Sequence, residues 1–150
     1  MRWLPPIVAL LLASCGSAPQ APDSSSLDPT RQPWYAPTTQ QLADLNRRAN
    51  DAFQAGKQDQ AAALIEQGQP LAKRLLEATP PTLEAMEAVS DLDDLYGRML
   101  LSNRHYGWAR LQFQKNLARW KRWKPESEES IRRLKQVNAE LAECDRHLEE

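Results

Sequence analysis

Few side chains in this chain could act together as nucleophiles, bases or metal ligands. The sequence holds two cysteines, Cys15 and Cys144, and two histidines, His105 and His147. No cysteine or histidine pair has metal-site spacing, and neither a nucleophile elbow nor a phosphate-binding loop occurs. His105 has no carboxylate beside it in sequence, and Cys144 falls on an apolar helical face, where a buried thiol is expected. We therefore expect no catalytic residues, no metal and no dissociable cofactor.

Cys15 has a distinctive context, because it ends a short apolar run at the N-terminus. Arg2 supplies a positive charge, Ile7 to Leu12 supply the apolar stretch, and Leu12-Ala13-Ser14-Cys15 completes the pattern. This run is much shorter than the roughly 20 residues that cross a bilayer, so it is typical of a secretory signal. The four residues resemble the lipobox of bacterial lipoproteins. That resemblance implies cleavage before Cys15 and covalent lipid on its thiol and new amine.

The lipobox also has consequences for location and charge. No aspartate follows Cys15, and for such a family this implies the periplasmic face of the outer membrane, with the cell surface or inner membrane as alternatives. Removal of residues 1–14 takes away Arg2 and lowers the formal net charge of −1 by one unit. A nearly neutral domain is poorly suited to bind nucleic acid. With Cys15 lipidated, Cys144 has no partner for an internal disulfide.

The rest of the sequence predicts a tether followed by helices. Residues 15–38 are rich in Pro, Ser and Ala and predict a flexible tether after the signal peptide of residues 1–14. Trp34-Tyr35 near its end is expected to pack on the first helix. Residues 39–150 predict an all-α domain of antiparallel hairpins. Its predicted helices are Thr39–Ala55, Gln58–Glu77 with a kink or split at Pro70, Leu83–Asn103, Tyr106–Trp123, and a fifth opened by Pro125, Glu126, Glu128 and Glu129. The predicted apolar face of the fifth helix consists of Ile131, Leu134, Val137, Leu141, Cys144 and Leu148.

Two of the predicted hairpins resemble tetratricopeptide repeats. Ala49 and Ala61 in the first hairpin, and Gly97 and Ala109 in the second, are small residues that would let paired helices approach closely. The two alanines Ala61 and Ala109 are 48 residues apart, whereas the family period is about 34 residues. A repeat array and a generic helical bundle therefore both remain open.

Charge is segregated along the second hairpin. Glu77 to Asp94 contains six acids and no base, and Arg104 to Lys124 contains seven bases and no acid. The basic run with its tryptophans could bind an anionic surface. Alternatively, its bases could pair with Glu84, Glu87, Asp91 and Asp94 across the hairpin. The candidate interaction residues are Arg104, Trp108, Arg110, Lys115, Arg119, Lys121, Arg122 and Trp123, while Trp120 is expected in the core.

These patterns together predict a lipid-anchored envelope adaptor that binds a protein partner through helical surfaces. Two alternatives stay open. One is a pilotin-like escort of an outer-membrane secretion component, which rests on size and anchor. The other is an anion-binding or lipid-headgroup-binding protein that uses the basic helix at 104–124.

Overall fold

A computed structural model describes residues 28–149, and Cys15 with the predicted signal peptide lies outside them. The chain is all-α, with five helices packed as sequential antiparallel pairs, as the sequence predicts. A 3-10 turn at Pro29–Arg31 precedes them. The helices are α1 Tyr35–Gln54, α2 Gln58–Glu77, α3 Leu83–Ser102, α4 Tyr106–Arg122 and α5 Glu128–Glu149.

The first helix begins at Tyr35, four residues before the predicted start at Thr39. Its first turn is stabilised from within, because the Thr38 hydroxyl donates to the carbonyl of Trp34 at 2.6 Å and Thr39 donates to that of Tyr35 at 3.1 Å. Pro37 is tolerated there, since the first-turn amides have no intrahelical acceptor. The segment assigned to the tether therefore ends before Tyr35.

Trp34 and Tyr35, which the sequence predicts to pack on the first helix, instead form its N-cap and its first residue, and their contacts extend to α2 and the α2–α3 connection. Tyr35 is buried, and its hydroxyl accepts a hydrogen bond from the Thr82 amide at 3.0 Å. The Arg74 guanidinium of α2 lies 4.2 Å from the centroid of the Trp34 ring, a cation–π distance. These contacts fasten the start of α1 to α2 and to the connection before α3.

Pro70 and Pro125 bear on the predicted course of two helices. Helix α2 runs through Pro70 without interruption, which excludes a split there. Helix α5 begins at Glu128, so Pro125 lies in the connection rather than in the first turn. Ser127 precedes α5, and its hydroxyl accepts from the Ser130 amide at 3.2 Å, as an N-cap does.

Two apolar clusters hold the helices together. The larger one joins α1, α2 and α3 around Leu42, Leu75 and Leu92, and the smaller one joins α4 and α5 around Phe113 and Val137. Cys144 and Trp120 are buried, as expected.

The ends of α5 depart from the predicted apolar face. Ile131 is 53% exposed and Leu148 is 52% exposed. Ser130, the neighbour of Ile131, is buried, so the start of α5 is covered and Ile131 lies off the face that packs on the domain.

Candidate functional site

The basic residues of α4 are in large part paired inside the molecule. Arg110 contacts Asp145 of α5 at 2.6 Å. Lys115 and Arg119 both contact Asp93 of α3, at 3.0 and 2.7 Å. Pairing with α3 across the hairpin was one of the two expected roles for these bases, and Lys115 and Arg119 show it, whereas Arg110 pairs with α5. Three of the predicted interaction residues thus have a structural partner already.

The acids that receive these bases are not the ones the sequence suggested. Asp91 contacts Arg133 of α5, and Asp94 contacts Arg98 within α3 at 2.9 Å. Neither Glu84 nor Glu87 forms an ion pair within residues 28–149. The Ser90 hydroxyl contacts Asn116 and Trp120 of α4, so Ser90 lies on the face of α3 that meets α4. Asp93 lies one helical turn after Ser90 on that face, and it therefore pairs with the bases of α4.

The remaining candidate residues of the basic helix do not form one surface. Arg104 and Trp108 lie at the start of α4, where Trp108 is 67% exposed. Lys121, Arg122 and Trp123 lie at its other end, and Trp123 meets the Trp120 ring edge-on at 6.2 Å between centroids. Trp108 and Trp123 are 15 residues apart, which is about 22 Å along a helix.

The four predicted helix-packing positions are all buried. Ala49 and Ala61 lie in the α1–α3 cluster, and Ala109 lies in the α4–α5 cluster. A Cβ atom added at Gly97 would come within 2.5 Å of Cε1 of Phe113. Helices α3 and α4 therefore approach closely at this glycine.

The surface contains a valley that was not predicted from the sequence. Its floor is one face of α3, where spacings of three and four residues place side chains on a single stripe. Its walls are α2 on one side and α4 on the other. The floor residues are Met86, Val89, Asp93, Tyr96 and Met99.

Three hollows follow one another along this valley. The widest, of about 800 Å³, lies between the α2–α3 connection and the end of α4. A middle hollow of about 370 Å³ shares Leu76, Lys115 and Arg119 with it. A far hollow of about 320 Å³ shares Gln69 with the middle one. From Ala62 to Leu76 on α2 the valley is about 21 Å long.

Charge is distributed unevenly along the valley. The widest hollow is lined by Lys115, Arg119, Arg122 and Lys124, with no acid among its lining residues. The far hollow is lined by Glu66, with no base. Within residues 28–149, Arg122 and Lys124 have no carboxylate partner. The valley therefore has a basic end beside Trp123 and a weakly acidic end beside Gln112.

A cluster of polar side chains bridges α5 and α3. The Gln136 amide donates to Asp94 Oδ1 and to Glu140 Oε1, both at 3.1 Å. Glu140 Oε2 is buried and has no hydrogen-bond partner among the described atoms. Burial, followed by the neighbouring Asp94, raises the pKa of Glu140 to about 8. At neutral pH this carboxyl group is mostly protonated.

The remaining chemistry-bearing side chains occupy separate places. Burial raises the pKa of the Cys144 thiol, which disfavours the reactive thiolate. His105 is exposed at the start of α4, and His147 stacks on Tyr106 at 4.4 Å between ring centroids. In the part of the chain that the structure describes, no group of three or more His, Cys, Asp or Glu residues is placed to hold a metal ion.

Comparison with known protein families, with curated proteins and with solved structures finds no match for this chain. Within residues 28–149, none of the helices combines the length and the apolar character that a membrane crossing requires.

Proposed function

We propose that this protein is a lipid-anchored, non-catalytic adaptor of the bacterial envelope that docks a partner protein along the α2–α4 valley. The observation that carries the proposal is the shape of the valley, which joins three hollows over about 21 Å. Protein segments commonly bind along such grooves between helices, placing side chains in successive hollows. The lipobox at Cys15 supports the anchor and the envelope location.

The same arrangement supports a repeat-like array over a closed bundle. Helix α3 packs against both α1 and α2, and each helix packs mainly on its neighbours in sequence. In stacked helical hairpins each unit contacts only adjacent units, which leaves open faces for partners. The valley is such an open face, because α2 and α4 stand on either side of α3.

Headgroup binding by the basic helix has weaker support. Arg110, Lys115 and Arg119 pair with carboxylates inside the domain, and the tryptophans Trp108 and Trp123 lie at opposite ends of α4. A pilotin-like escort is one case of the adaptor proposal, and no separate observation favours it.

A photo-crosslinking residue placed in the valley tests the proposal in the cells that make the protein. Gln69 lines two of the hollows, whereas Ala63 is exposed on α2 and lines none of the three. We expect irradiation to give a protein adduct of one defined mass with the residue at position 69 and none with it at position 63. Equal adducts at both positions, or none at position 69, would contradict docking in the valley.

A further inference from the structure

The basic end of the valley contains two kinds of cation. Lys115 and Arg119 are both held by Asp93, whose side chain is only 3% exposed. Arg122 and Lys124 also line the widest hollow and have no carboxylate partner among the described residues. Four bases thus face one carboxylate, so the hollow carries excess positive charge. Asp93 fixes two of these cations in place, which reduces the entropy lost when a ligand binds.

The lining of the same hollow is apolar between these cations. Leu76, Pro81, Met86, Ala118 and Trp123 all border it. An occupant must therefore offer apolar side chains to this surface and carboxylates to its rim. Burying such a surface without opposite charge would leave cations desolvated and unpaired, which is costly.

The middle and far hollows indicate what kind of molecule continues along the valley. Gln69 and Lys73 line the middle hollow, and Gln69 and Gln112 line the far one. These side chains can hydrogen-bond to the backbone groups of a peptide. A lipid acyl chain would cover them without offering a partner, at a cost in free energy. The lining therefore favours a polypeptide over a lipid.

We propose that the occupant of the valley is a segment of a partner protein with apolar side chains along α3 and a cluster of Asp or Glu at the end beside Pro80 and Trp123. This inference rests on the proposed function and adds the chemistry and the placement of the docked segment. The acidic cluster contacts Arg122 and Lys124, and the opposite end beside Glu66 receives neutral or basic residues.

The test compares crosslinks from the two ends of the valley in intact cells. Photo-crosslinking residues are placed at Leu76, by the widest hollow, and at Gln112, by the far hollow. The crosslinked peptides are then sequenced by mass spectrometry. We expect one partner segment at both positions, with Asp or Glu clustered around the residue that crosslinks at position 76.

Charge reversal at the basic end provides the second measurement. R122E/K124E changes two bases that line the hollow, and K121E/K135E changes two exposed bases that do not. We expect the first pair to lower the adduct at position 76 by about tenfold, because attraction at two contacts becomes repulsion. The second pair should leave it within about twofold, and thermal melts should show both variants folded.

The outcomes separate this inference from the proposed function. No protein adduct at either position overturns both. A partner segment that is neutral or basic at position 76, or one that resists R122E/K124E, overturns the acidic placement and leaves docking intact. A lipid adduct without protein, or a crosslink to residues 16–27 of this chain, shows a different occupant and overturns the inference.

Discussion

Asp93 shows how a single buried carboxylate joins two helices. Its side chain is almost fully buried on α3, and it contacts Lys115 and Arg119 of α4. In the sequence it is one of six acids between Glu77 and Asp94, and nothing in its neighbours distinguishes it. Asp93 faces the bases of α4 because of how α3 is rotated about its axis relative to α4. The sequence does not show this rotation, so it predicted ion pairs with the neighbouring acids instead.

Gly97 is the residue at which an added methyl group should have the clearest effect. Its Cβ would lie 2.5 Å from Cε1 of Phe113, whose ring is fully buried, so the ring or the helices must shift. We expect Gly97→Ala to destabilise the domain by about 1–3 kcal/mol, the usual cost of overpacking. Gly97→Leu should cost more, and thermal or urea melts measure both changes.

Gly107 provides the matched control for this substitution. A Cβ atom there meets nothing within 4 Å, and Gly107 lies in the first turn of α4. Gly107→Ala should be neutral or should stabilise by up to about 1 kcal/mol, because alanine favours the helix. Equal stability of the Gly97→Ala and Gly107→Ala proteins would show that α3 and α4 do not approach closely at Gly97.

At the scale of helices, α5 is attached to α3 by polar groups. Arg133 contacts Asp91, and Gln136 joins Asp94 to Glu140. Among residues 28–149, Arg98 is the cation that contacts this carboxyl pair, through Asp94 at 2.9 Å. Two carboxyl groups beside a single cation are compatible with close packing only while one of them keeps its proton.

This arrangement predicts a loss of stability as the pH rises. The pKa of Glu140 is about 8 in the folded chain against an ordinary value of 4.5, so its contribution is complete below pH 4.5. The contribution falls as the pH rises and is gone above about 8, where both states are ionised. Glu140→Gln removes this titration, because the amide has nearly the size of the carboxyl group and is uncharged at every pH. We expect it to raise the Tm at pH 9 by a few degrees, with little change near pH 4.5.

Glu143→Gln is the control for the pH experiment. Glu143 also lies on α5, but it is more exposed and contacts Arg146 and His147. Its substitution should leave the slope of Tm against pH close to that of the unmodified protein between pH 5 and 9. If the Glu140→Gln protein shows that same slope, Glu140 is not held protonated at the α3–α5 contact.

The helices could be predicted from the sequence far better than the valley. The spacing of apolar residues gave the ends of α2 as they are and those of α3 and α4 to within one residue. The start of α1 was missed because Pro37 resembles tether sequence, although a first turn accepts proline. The valley could not be predicted, because it depends on how three helices are placed together. Its floor stripe on α3 was the only local signal.

At the scale of the whole molecule, the folded domain and the proposed anchor are separate along the chain. The first buried residue of the large apolar cluster is Tyr35, Trp34 packs against the cluster, and its other members follow in sequence. Cys15 precedes this core by 20 residues. Stability and membrane attachment should therefore respond to different substitutions, with the valley available to a partner in either case.

The two cysteines allow this separation to be measured. Cys15→Ser removes the thiol that the lipobox resemblance assigns to lipid, so we expect the protein to move from the membrane pellet to the soluble fraction with an unchanged Tm. Cys144→Ala should lower stability and leave membrane attachment unchanged, because that thiol is buried in the α4–α5 cluster. It should stay in the pellet and lose about 1–2 kcal/mol of stability, as small cavities in a core do. Membrane fractionation measures the attachment of each variant, and thermal melts measure its stability. A Cys15→Ser protein that sediments with membranes as firmly as the unmodified protein would show that attachment does not depend on lipid at Cys15, since no second cysteine is accessible to replace it.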